Sequence, residues 1–113
     1  MKTVEFEKKR HLRIKTGSCR RLTKDIEFYR SEIDEENNRI EQLMFVEGDN
    51  YDLEKQQQQK EESMAALNMC SNHLEHARTQ LREYFAKVSE DATEELKESN
   101  EYIDAEKAIE KFH

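Results

Sequence analysis

The chain has 113 residues, 40% of them charged and 35% hydrophobic, with no proline, no tryptophan and two cysteines. Its net charge of −7 argues against nucleic acid as the main partner, because phosphate binding needs a positive face. Two cysteines do not make a secreted disulfide framework, no apolar run approaches the ~20 residues that cross a bilayer, and Met1–Arg10 has no signal-peptide core. The expected setting is therefore a soluble, reducing cytoplasm.

Such polarity leaves a chain disordered unless its apolar residues fall on one narrow stripe. From Leu12 they step by seven through Cys19, Ile26, Ile33 and Ile40, with Lys15, Leu22, Tyr29, Glu36 and Leu43 interleaved. That heptad predicts a first helix over about 6–45. Gly17 falls inside it, costs about 1 kcal/mol relative to alanine, and predicts a close approach by a neighbour. The first thirty residues carry ten Lys/Arg against four Asp/Glu, so this helix begins basic, whereas the rest of the chain is strongly acidic.

The stretch VEGDNYD, Val46 to Asp52, interrupts the heptad. Gly48 suits the left-handed residue that ends a helix, Asp49 or Asn50 suits the cap of the next, and Asp52 and Glu54 suit its first turn. A tight antiparallel turn is predicted. The second helix, about 50–87, carries Leu53, Gln57, Lys60, Met64, Leu67, Ser71, Leu74, Arg78, Leu81, Phe85 and Val88, with Ala66, Cys70, Ala77 and Tyr84 widening the stripe. A third helix, about 91–111, carries Ala92, Leu96, Ile103, Ile109 and Phe112, and Asp91 with Glu94 has capping-box spacing.

A turn at Gly48 places residues side by side when their numbers total about 97. Ile33 then meets Met64, Ile26 meets Cys70 and Ser71, and Glu36 meets Lys60 in a partly shielded ion pair that fixes register. Cys19 and Cys70 lie too far apart for a disulfide. The third helix, in a segment with nine acids against three bases over 89–113, is expected along the basic start of the first, with Glu98 and Glu101 near Arg20 and Arg21. The predicted fold is all-α, a single-domain, elongated left-handed antiparallel three-helix bundle over residues 1–113.

Few features suggest chemistry. His73 and His76 in HLEH share a helix face but lack a further metal donor, and Cys19 and Cys70 read as small core residues. Lys8 to Arg21 looks like a basic zipper region, yet only about three heptads follow and they hold no leucine ladder. Gln56 to Gln59 reads as helix-forming surface. There is no phosphate loop and no nucleophile beside a base, so neither catalysis nor a cofactor is expected.

Three stretches together resemble the tubulin-folding cofactor A, or tubulin-specific chaperone A, family. LRIKTGSCRRLTKD, Leu12 to Asp25, is similar to its Ile-Lys-Thr-Gly segment with the basic residue, Arg-Leu and Lys-acid pair that follow. EGDNYDLEKQ, Glu47 to Gln56, resembles its inter-helix turn and second-helix start, and CSNHLEHA matches at Cys70, Leu74, Glu75 and Ala77. The resemblance covers about Leu12 to Arg82. It implies a small helical cytoplasmic, cytoskeleton-associated protein that binds β-tubulin after chaperonin release and holds it competent to dimerise, without nucleotide, membrane or nucleic acid. Two departures stand out: Asn68-Met69 replaces a Pro-Asp in the second helix, which implies a straighter helix, and Glu54 replaces a lysine.

On that reading Lys15, Arg20, Arg21 and Lys24 are expected to meet acidic tubulin surface, with Tyr51, Lys55 and Gln56 as further contacts at the turn end. A coiled-coil or spectrin-like adaptor fits the periodicity equally, although the tryptophan common in such modules is absent and the chain reads as one unit rather than a repeat. A basic-zipper DNA binder is a third reading. Whether the protein is a monomer or a homodimer is open at the level of sequence.

Overall fold

In the computed structural model the described residues are 2–46 and 50–111, so the expected Gly48 turn lies outside them. Four helices follow in chain order: α1 over Lys2–Met44, α2 over Tyr51–Ser89, α3 over Glu94–Lys97 and α4 over Asn100–Lys111. The absence of proline allows the two long helices, since nothing removes an amide from their ladders. The Phe45 and Val46 amides close α1 by donating hydrogen bonds to the Gln42 and Leu43 carbonyls. Asn50 opens α2, its carbonyl accepting from the Glu54 amide at 2.9 Å. Asp52 and Glu54 occupy the first turn, where negative charge suits the helix dipole. The helix continues unbroken through Asn68 and Met69.

The chain forms two compact units, one of Met1–Leu22 with His73–His113 and one of Thr23–Asn72. The first has a fully buried core: Leu12 and Cys19 from α1, Leu81 and Val88 from α2, Leu96 from α3, and Tyr102, Ala105 and Ala108 from α4. Each large side chain removed from water there contributes about 1.5–3 kcal/mol. Contacts of α1 with α2 and the turn after it join Lys8 to Asp91, and His11 and Lys15 to Tyr84. Those numbers total between 95 and 99, around the predicted 97.

The smaller unit pairs two helical stretches, and among its described apolar residues only Ile26 is buried. Here the α2 stripe differs from the expected one. Gln57, Met64 and Ser71 are exposed, and the neighbouring track Gln56, Ser63 and Cys70 is turned inward. In the larger unit both tracks are at least half-covered, because α2 meets Tyr84's partners on α1 and, through Phe85, Tyr102 on α4. A helix with two neighbours buries a wide stripe, and one with a single neighbour a narrow one.

The expected Glu36–Lys60 ion pair does not form. Glu36 is buried as its heptad position requires, at 4% exposure. Its Oε1, however, accepts a 2.8 Å hydrogen bond from Ser63 Oγ, and among the described residues no ion pair reaches it. Met64, expected opposite Ile33, is 46% exposed.

The third segment is also corrected. It is two helices, and its cap is Thr93, whose Oγ1 accepts from the Leu96 amide at 3.1 Å. Asp91 instead pairs with Lys8 at 3.6 Å. The interruption at Glu98 and Ser99 has a local cause. Ser99 Oγ donates to the Leu96 carbonyl and accepts from the Tyr102 amide, ending one helix and capping the next.

Candidate partner-binding surface

The basic start of α1 is partly engaged within its own unit. The Lys15 ammonium stands 5.5 Å from the Tyr84 ring centre, a cation–π contact that takes it out of full solvent exposure. Burial, and the nearby Glu7 carboxylate, raise the Tyr84 hydroxyl above its ordinary pKa. Arg20 is exposed and, with Arg13, Thr16 and Gly17, faces Glu101 and Asp104 across a groove of about 220 Å³. Charge of both signs meets there as expected for Glu101 and Arg20. Arg21 and Glu98 are exposed and take no part in it, and among the described residues no ion pair within 4 Å holds Arg20 or Arg21. The basic surface is therefore only partly neutralised.

Gly17 departs from expectation too. A Cβ there would meet no atom within 4 Å, so no neighbour requires the glycine. Thr16, one residue before, is buried, and its Oγ1 has no hydrogen-bond partner.

The remaining expected contacts belong to the smaller unit. Lys24 and Lys55 are exposed, Tyr51 is 63% exposed at the start of α2, and Gln56 is half-buried with an unpartnered Nε2. Thus Lys15, Arg20 and Arg21 sit in one unit and Lys24, Tyr51, Lys55 and Gln56 in the other. Sequence reasoning missed a feature at the end of α1: Met44, Phe45 and Val46 are all largely exposed, Phe45 at 84%. Three consecutive apolar residues after the last heptad position were the available signal, because a stripe needs only one of them.

His73 and His76 are exposed, and among the described residues no group of three His, Cys, Asp or Glu side chains is placed to hold a metal. Neither cysteine is in a disulfide. Burial pushes the Cys19 thiol above its ordinary pKa, with the Arg78 guanidinium pulling weakly the other way, so the thiolate needed for reactivity is disfavoured. No helix among the described residues is long and apolar enough to cross a membrane.

Against known families, the model described as tubulin binding cofactor A matches residues 7–109. The chain belongs to the tubulin binding cofactor A family. Rat tubulin-specific chaperone A is 32% identical over 96 residues, covering 85% of this chain and 84% of the relative. Tubulin-folding cofactor A of Arabidopsis thaliana is 33% identical over 100 residues, with 88% and 86% covered. Among solved structures, the crystal structure of Arabidopsis tubulin folding cofactor A superposes with a TM-score of 0.80 at 28% identity, covering 94% of this chain and 95% of that one. Human tubulin chaperone cofactor A gives 0.72 at 30%, with 93% and 97% covered. Cofactor A membership thus extends beyond the three resembling stretches to nearly the whole of α4.

Proposed function

We propose that this cofactor A family member is a tubulin-folding chaperone that captures β-tubulin after chaperonin release and holds it ready to join its heterodimer partner. The observation that carries this reading is the family match over residues 7–109. The relatives named as tubulin-specific chaperones, each covered over more than four-fifths of its length, support it. The protein acts in the cytoplasm, in association with the cytoskeleton, by binding rather than by catalysis. Helices supply a stiff surface, and their charged faces orient the partner and speed encounter. On this reading Arg20, Arg21, Lys24 and Lys55 offer exposed cations, while Tyr51 offers an amphipathic ring suited to an interface. Packing of α1, α2 and α4 in the larger unit is read as a left-handed antiparallel three-helix bundle.

The test is capture. Tagged protein incubated with cytosolic extract should recover β-tubulin in a complex lacking α-tubulin and chaperonin, separable on a native gel. Recovery of no tubulin, or of intact heterodimer alone, would refute the proposal. Light scattering on the same material distinguishes monomer from homodimer.

A further inference from the structure

In the smaller unit Glu36 lies 4% exposed, yet only one of its carboxylate oxygens is satisfied. Ser63 Oγ donates to Oε1 at 2.8 Å, and Oε2 is buried with no partner. A buried carboxylate with an unpaired oxygen is costly, and it is stabilised chiefly by a cation brought into contact with it. Among the described residues no cation performs that role. Arg39, beside the site, is turned to Glu35 at 3.3 Å, and Lys60 forms no ion pair with Glu36.

The surroundings fit an incoming cation. Glu36 lines a cleft of about 310 Å³ with Tyr29, Glu32, Arg39, Gln59, Glu62 and Ser63, so three carboxylates and an amide share one opening with a single guanidinium, itself turned to Glu35. These carboxylates do not converge as metal ligands do. A planar guanidinium suits the arrangement better, because its fork of donors reaches a carboxylate and neighbouring acceptors at once.

We propose that the Glu36 cleft seats one arginine side chain of the tubulin partner, its guanidinium donating to Glu36 as the carboxylate turns its buried Oε2 to the opening, while Ser63 holds Oε1. This rests on the tubulin-binding reading and adds an acidic socket in the smaller unit to the basic contacts already considered. The socket fixes orientation, since a buried, hydrogen-bonded charge pair is far more geometry-dependent than exposed charges.

Acetyl-arginine amide is a probe that needs no partner protein. Titrated into the labelled chain, it should shift the amides around Glu36 and Ser63 saturably, more strongly than acetyl-lysine amide. Glu36→Gln should abolish the response, preserve helicity, and unfold at higher denaturant because a buried charge has gone. The same variant should capture β-tubulin at least about tenfold more weakly than wild type. If wild type captures no β-tubulin, the tubulin reading fails while the probe still decides the cleft. Unmoved amides, an equal response to the lysine probe, a destabilised Glu36→Gln, or unchanged capture by that variant would each overturn the proposal.

Discussion

Tyr102 on α4 and Ser89 at the end of α2 are joined by a 3.0 Å hydroxyl–hydroxyl contact whose direction is fixed by a third group. Ser89 Oγ already donates its single proton to the Phe85 carbonyl at 2.7 Å, so the Tyr102 hydroxyl is the donor between them. The tyrosine ring also packs against Phe85, with centroids 4.7 Å apart. Replacing Tyr102 with phenylalanine keeps the ring and removes only the donor. Tyr102→Phe is therefore expected to lower stability by about 1 kcal/mol. A double-mutant cycle with Ser89→Ala should return a coupling energy, and zero coupling would remove the bond from consideration.

Gly17 predicts the opposite sign. It is helical, and an added Cβ would meet nothing within 4 Å. Gly17→Ala should stabilise the protein by about 0.5–1 kcal/mol by restricting the unfolded chain. Thermal unfolding would show a higher Tm. A lower Tm would mean that the groove beside Gly17 has no room for a methyl group.

Capping of the third segment can be assigned by two substitutions. Thr93→Ala should cost about 1 kcal/mol, because it removes the acceptor for the Leu96 amide and the hydroxyl that donates to Glu5 at 2.7 Å. Asp91→Ala should cost only about 0–1 kcal/mol, as expected for an exposed ion pair. Equal effects in denaturant titrations would return the cap to Asp91.

Cys19 gives a pH dependence. Its thiol pKa is raised in the folded protein by burial, so the unfolded chain loses its thiol proton first as pH rises. Stability is fully present below the ordinary thiol pKa and is lost through the alkaline range up to the raised value. Tyr84 acts in the same direction at higher pH. The urea midpoint should therefore fall between pH 8 and pH 10, and less steeply in Cys19→Ala. A midpoint that rose over that interval would contradict the assigned shift.

Charge reversal at Arg20 and Arg21 tests the basic surface. Both are exposed and hold no ion pair within 4 Å among the described residues. Arg20→Glu with Arg21→Glu should slow association with β-tubulin several-fold at low salt and leave helicity unchanged. Unaltered association kinetics would exclude these two arginines from the interface.

How much of this was legible in the sequence is clearest along α1. Leu12, Cys19, Leu22, Ile26 and Glu36 are all buried, and Lys15, Tyr29, Ile33, Ile40 and Leu43 are half-buried, as the seven-residue period required. A helix turns about 100° per residue, so periodic spacing alone decides which side chains share a face. The all-helical class and the family resemblance were equally available, one from that period and the other from short local strings. The same period could not say how many neighbours α2 has along its length. Glu36 finds Ser63, which the change of track brings inward, although Lys60 is itself half-buried.

Local hydrogen-bond competition is likewise invisible to a seven-residue period. Thr93 takes the cap from Asp91, and Ser99 divides the third segment, since a hydroxyl in the right place satisfies a helix end as well as its own ladder does. The order of residues alone determined that this chain is helical, which faces are apolar and which family it joins. Tertiary structure decided what the polar residues on those faces meet: Glu36 with an unsatisfied oxygen, Lys15 on a tyrosine ring, Gly17 with open space. Periodicity is a property of one helix, whereas a side chain's partner depends on the rotation of a second helix against it.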